Sequence, residues 1–150
     1  MQWKWIDEKN RIITFPAEAT KNNRAHSFPI GDMAAEILAG LPHIGEFVFP
    51  ATQERRNGVP VRVVNGWSHL KTNFDKTAEG VAPWTLHDLR RTFATNLAAI
   101  GTPTHVTEKL LNHVSGTVSG GAAIYNRHSY MDEMRAAVAN WEKRLTEIAA

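Results

Sequence analysis

Cysteine is absent from the 150 residues, which excludes disulfide scaffolds, thiolate zinc sites and cysteine nucleophiles. No apolar run approaches the ~18 residues that a membrane span needs, and the polar start Met1-Gln2-Trp3-Lys4 does not read as a secretion signal. Charge of one sign is scarce too: 17 basic against 15 acidic side chains leave a net +2, little for a nucleic-acid binder. Tyrosine occurs only at positions 125 and 130. Against these absences stand 43% hydrophobic residues and five tryptophans, which exclude a disordered chain. The length suits one domain over residues 1–150, able to bury roughly 70% of its unfolded surface. A soluble intracellular domain is the expectation.

The first thirty residues read as strands. Trp3 to Ile6 precede the polar turn Asp7-Glu8-Lys9-Asn10, and Arg11 to Phe15 follow as in a hairpin. A second turn, Thr20 to Arg24, has adjacent asparagines that tolerate left-handed backbone, and it leads into Ala25 to Ile30. Pro29 marks that third strand as an edge. The rest is mostly helical. A short helix carries Met33, Ile37, Leu38 and Leu41; residues 42–61 read as loop; Val63, Trp67, Leu70 and Phe74 recur at helical spacing. Thr85 with Asp88 fits a capping box for a helix presenting Leu86, Leu89, Phe93, Leu97 and Ile100. Gly101 ends it, and Pro103 is expected at the first position of the next helix, with Val106, Leu110 and Leu111 inward. A last helix carries Met131, Met134, Val138, Trp141, Leu145 and Ile148. The fold class is therefore α+β, mostly α: a small three-stranded antiparallel sheet followed by a helical bundle.

Taken singly, the residues suited to chemistry have plain structural explanations. His87 and Arg90, three apart, project from nearly one helix face, and an arginine at the rim of a core wants a carboxylate or a phosphate. Spacing alone favours a surface histidine and an Arg–Asp bridge. The glycine-rich run after His113 lacks the Gly-Lys-Ser/Thr ending of a nucleotide loop. His105 and His113 lie eight apart without the His-Glu-x-x-His spacing, so no metal site is expected.

Taken together, the residues carry more. The stretch Trp84 to Thr95 resembles the His-x-x-Arg box of the tyrosine recombinases, the phage-integrase family, through His87 and Arg90. Leu110-Leu111-Asn112-His113 is similar to that family's next motif, and Ala123-Ile124-Tyr125-Asn126-Arg127 to its nucleophile segment. Lys21 matches the family's turn lysine, so the resemblance covers nearly the whole chain. It implies the tyrosine recombinase catalytic-domain fold and strand exchange on double-stranded DNA attachment sites through a 3′-phosphotyrosyl intermediate, with no metal or cofactor. Tyr125 would be the nucleophile, helped by His87, Arg90 and His113, and Lys21 would protonate the leaving 5′ oxygen. Tyr130, at the start of the last helix, is expected to serve packing or capping.

Lys21, Arg24, Arg90 and Arg91 would contact DNA, in the cytoplasm of a bacterial cell. The last helix would either close its own core or dock on a second protomer. Two departures stand out. The family's first catalytic arginine belongs upstream of the strand at Trp3, as does a DNA-clamping domain, and none of Arg11, Arg24, Arg55, Arg56 or Arg62 fills the arginine's motif. The gap from His113 to Tyr125 is also a few residues longer than usual. The expectation is a chain impaired in recombination when isolated, with a non-catalytic DNA- or partner-binding role as the alternative. The small net charge does not oppose DNA, because it is uneven. Residues 9–30 hold four basic against one acidic side chain, residues 55–91 seven against three, and residues 128–150 three against four.

Overall fold

A computed structural model gives the architecture, and it describes residues 1–51, 55–56, 58–60, 62–78, 80–113 and 128–150. Tyr125 and the glycine-rich run lie outside these residues.

Strands β1 (Ile6–Asp7), β2 (Ile12–Phe15) and β3 (His26–Pro29) form an antiparallel sheet in that order. The register pairs Ile6 with Ile13, Ile13 with Phe28, and Phe15 with His26. Ile13, Phe15, His26 and Phe28 therefore share one face, where the two phenylalanine rings stack at 5.8 Å and Ile13 is buried. On the opposite face Thr14 and Ser27 join hydroxyls at 2.9 Å. Pro29 does sit on an edge strand. Trp3–Trp5, expected to be strand, instead form a single 3-10 turn. The first turn reaches one residue further than its polar run suggests, because Arg11 takes a left-handed φ of 53° to close it. The Asp7 carboxylate accepts both the backbone and side-chain N–H groups of Asn10 at 2.9 and 2.7 Å.

Five α-helices are present among the described residues: α1 (Asp32–Ala39), α2 (Trp67–Thr77), α3 (Leu86–Ala99), α4 (Thr104–Leu110) and α5 (Met131–Ala149). Residues 42–61, expected to be loop, also contain a short hairpin of β4 (Arg55–Arg56) and β5 (Val59–Pro60). Pro103 sits at the N-cap of α4 rather than inside it.

The helical core is Leu97, Val106, Met134 and Ala137, surrounded by Phe93, Ile100, Leu110, Met131 and Trp141. Phe93 and Trp141 meet edge to face at 5.5 Å. α5 thus packs on its own chain and braces several elements. Its Arg135 donates to the Asn10 carbonyl at 2.8 Å, and its Glu142 carboxylate accepts the N–H groups of Asp32 and Met33 at 2.8 and 3.0 Å. An anion there satisfies donors that the first turn of α1 leaves unpaired and complements the helix dipole.

The apolar stripes of two helices are only partly covered. Phe93 and Leu97 of α3 face the core, whereas Leu86 and Leu89 are 48% and 58% exposed. On α2, Trp67, Leu70 and Phe74 are all exposed, although Phe74 meets Trp84 edge to face at 5.9 Å.

Candidate active site at the end of helix α4

α3 starts as its sequence dictates. The Asp88 carboxylate reaches back to the Thr85 N–H at 2.9 Å and its hydroxyl at 2.8 Å, and these bonds hold the carboxyl below the usual aspartate range. Its other oxygen pairs with Arg91 at 3.4 Å. The Arg–Asp bridge that spacing favours is therefore made by Arg91, not Arg90. Arg90 crosses to the neighbouring helix and donates from Nη2 to the Leu111 carbonyl at 2.6 Å. A carbonyl does not neutralise a guanidinium, and this bond uses one of its five N–H groups. His87 is exposed one turn earlier on the same face of α3.

The end of α4 explains why the Leu111 carbonyl is presented there. Asn112 has a left-handed φ of 50°; its N–H donates to the Lys109 carbonyl at 3.1 Å, and the His113 N–H to the Glu108 carbonyl at 2.9 Å. This is a Schellman motif with asparagine at the left-handed position, and it turns the chain so that His113 leaves the helix exposed.

Two further contacts reach the same residues from the sheet. His26 places Nε2 3.3 Å from the Leu110 carbonyl. Burial pushes its imidazole pKa down, against the bond to that carbonyl, while the nearby charges of Lys109 and Arg90 push the same way as burial. Asn22 donates from its side-chain amide to the Asn112 side-chain oxygen at 3.0 Å. The turn that carries Asn22 also carries Lys21 and Arg24, both exposed. It is closed by the Arg24 N–H donating to the Thr20 hydroxyl at 3.0 Å and to the Asn22 side-chain oxygen at 3.2 Å. Two stretches remote in sequence thus fasten to three consecutive residues: residues 22–26 to Asn112 and Leu110 through the turn and β3, and α3 to Leu111.

The structure accordingly brings Arg90, His113 and the Lys21 turn to one end of α4, with His87 on the adjoining face of α3. Tyr125 lies outside the described residues. Tyr130 is at the start of α5 with a left-handed φ of 55°, its ring centre 4.8 Å from that of His105 and 4.6 Å from that of His128. Among the described residues no three histidine, aspartate or glutamate side chains converge to hold a metal, and no helix is long and apolar enough to cross a membrane. Sequence reasoning missed Asn22, His26 and Asn112. An asparagine directly after the last apolar residues of a helix is a stop signal, and it could have identified Asn112. His26 and Asn22 carry no comparable local signal.

The chain is 30% identical over 151 residues to the integrase of Shigella phage Sf6, an alignment covering 98% of this chain and 37% of that protein. The figures are the same for the prophage integrase IntS of Escherichia coli strain K12, and prophage integrase IntZ of that strain is 27% identical over 154 residues, 99% of this chain and 35% of its own. The chain therefore spans little more than a third of the length of these curated relatives. No solved structure gives a significant match. A family profile described as "Phage integrase family" matches residues 1–131, so most of the sheet-and-helix unit is accounted for, including the end of α4. On that match, the chain belongs to the phage integrase family.

Proposed function

We propose that the chain supplies catalytic residues for site-specific DNA recombination, integrating or excising a mobile element through a tyrosyl–DNA intermediate. The observation that carries this reading is the convergence of Arg90, His113 and the Lys21 turn on residues 110–112. Cationic donors from separate parts of the sequence at one helix end suit a phosphodiester, whose nonbridging oxygens gain charge in the transition state. His87, Arg90 and His113 contact those oxygens. The Tyr125 oxygen attacks phosphorus, forming a 3′-phosphotyrosine, and the P–O5′ bond breaks. Lys21 gives its proton to the departing 5′ oxygen, because an alkoxide is a poor leaving group. A free phenol loses its proton only near pH 10, so the cationic surroundings also favour the attacking phenolate. Attack by another 5′ hydroxyl on the phosphotyrosine reverses the step, so strands rejoin without nucleotide hydrolysis or a cofactor.

Double-stranded attachment-site DNA is the partner, held through Lys21, Arg24, Arg90 and Arg91 alongside the basic stretches over 9–30 and 55–91. Self-association on DNA, as part of the proposal, would use the exposed side of α5, since its other side packs in its own core, and the cytoplasm is the proposed location. No arginine among these 150 residues matches the family's first catalytic arginine, whose loss is worth ~10³–10⁵ in rate by analogy with arginine fingers. The 150 residues alone are thus expected to bind DNA with little turnover, which is also what the non-catalytic binding alternative holds for them.

A nicked attachment-site duplex that traps covalent product tests the reading. A polypeptide containing these 150 residues and able to cleave should give an adduct on a denaturing gel, and Tyr125→Phe should abolish it while Tyr130→Phe retains it. The opposite dependence on the two tyrosines would overturn the assignment, and a salt-sensitive mobility shift without adduct would favour the binding role.

A further inference from the structure

α3 and α4 end in the same backbone motif, and only α4 closes it with a residue other than glycine. At the end of α3, Gly101 takes φ 82°; its N–H bonds to the Ala98 carbonyl at 3.0 Å, and that of Thr102 to the Leu97 carbonyl at 2.9 Å. Glycine adopts this conformation without the steric cost that a Cβ brings. At the end of α4 the chain accepts that cost, and the side chain that imposes it makes a bond across the molecule, Asn112 Oδ1 accepting from Asn22 Nδ2 at 3.0 Å, 90 residues away. The Asn22 amide is committed at both ends, since its oxygen accepts the Arg24 N–H at 3.2 Å. Lys21 and His113 are the immediate chain neighbours of these two asparagines.

We propose that Asn22 and Asn112 are positioning residues whose side-chain bond holds the Lys21 turn in register with His113. The inference rests on the recombinase reading. In it, Lys21 protonates the leaving 5′ oxygen while His113 contacts the same phosphate, so the two must face one phosphorus at a fixed separation. The turn's own hydrogen bonds do not reach α4, and the His26–Leu110 contact reaches it only from β3, four residues beyond Asn22. The Asn22–Asn112 bond is the tie made by the turn itself, and neither asparagine is assigned a part in the chemical step.

Asn112→Gly separates this role from a structural one, because glycine keeps the left-handed turn and removes only the bond. In the 150-residue chain, Asn112→Gly and Asn22→Ala should each speed amide hydrogen exchange at Asn23, whose N–H donates to the Thr20 carbonyl, roughly fivefold, the effect of about one hydrogen bond. The double variant should go no further than the singles. In a polypeptide that contains these residues and gives the adduct, both variants should slow single-turnover cleavage of the attachment-site duplex roughly ten- to a hundredfold, as small misplacements of catalytic groups do. Cleavage should recover when the scissile 5′ oxygen is replaced by sulfur, since a thiolate leaves without a proton. Equal slowing on the oxygen and sulfur substrates, or unchanged exchange in the turn, would overturn the proposal. If the unsubstituted protein forms no adduct on either substrate while exchange responds as stated, the recombinase reading fails and the mechanical link stands without a catalytic purpose.

Discussion

Some helix ends among the described residues are held by neighbouring residues alone, and others take a further bond from distant ones. α3 is local at both ends: Asp88 caps Thr85 at its start, and Gly101 turns the chain at its finish. α1 and α4 are not. α1 takes the Glu142 carboxylate from 110 residues away at its N-terminus, and α4 ties its C-terminus to Asn22. The local ends set where a helix stops. The remote ends set where one part of the chain lies relative to another, and the remote one on α4 is where the candidate catalytic groups meet.

Substitution at the end of α3 should break this contrast with the largest effect where the core is involved. The Leu97 carbonyl takes part in the α3 motif, and its side chain is fully buried among Val106, Met134 and Ala137. Leu97→Ala should cost about 2–5 kcal/mol in denaturant unfolding, through lost burial and the cavity left behind. A loss under about 1 kcal/mol would mean that the site collapses around the gap.

Gly101→Ala isolates the backbone contribution, because a Cβ there meets nothing within 4 Å. The whole cost is the left-handed conformation, about 1–2 kcal/mol. Asn112→Gly should be close to neutral, within about 0.5 kcal/mol, since relief of backbone strain offsets one lost hydrogen bond. Equal destabilisation by both substitutions would show that the two ends are not distinguished by their side chains.

This division also explains what the sequence made legible. The three strands, the Thr85–Asp88 cap and the Gly101 stop were readable because each depends on residues within a few positions. The family resemblance through His87, Arg90, His113 and Lys21 was likewise a matter of order along the chain. Illegible were the contacts that assemble those residues: His26 to Leu110, Arg90 to Leu111 and Asn22 to Asn112 span 84, 21 and 90 positions. Periodicity also finds a helix without saying what covers it. The stripe on α2 is as regular as that on α3, yet Trp67 and Leu70 are exposed while Phe93 and Leu97 face the core. Trp3–Trp5 failed as a strand for a related reason. The backbone turns there because Trp5 donates to the Gln2 carbonyl at 3.1 Å and Trp3 to the Glu46 carbonyl at 3.0 Å, the second partner far along the chain.

The remote cap on α1 sharpens the comparison at a smaller scale. Glu142→Gln removes the charge that complements the helix N-terminus and should cost about 0.5–1 kcal/mol. Gly31→Ala should do the same by a different route, because a Cβ at Gly31 would overlap the Glu142 carboxylate and displace it. The two substitutions act on one contact, so the double variant should be no worse than either alone in a double-mutant cycle. Additive losses would place the Gly31 effect elsewhere.

The smallest effect concerns pH at the other remote end. Burial lowers the His26 pKa in the folded chain, so between the folded and unfolded values the unfolded state binds more protons. Stability is then fully present above the ordinary imidazole value of about 6.5 and is lost as pH falls through it toward the lowered folded value. The Leu110 carbonyl accepts from His26 in either protonation state, which limits the loss. The charges of Lys109 and Arg90 oppose the imidazolium and keep the sign. Unfolding midpoints measured from pH 7.5 to 5.5 should therefore decline less steeply in His26→Gln than in the native chain. A steeper decline in the variant would reverse the sign of the His26 contribution and make its imidazolium a favourable partner of the α4 terminus.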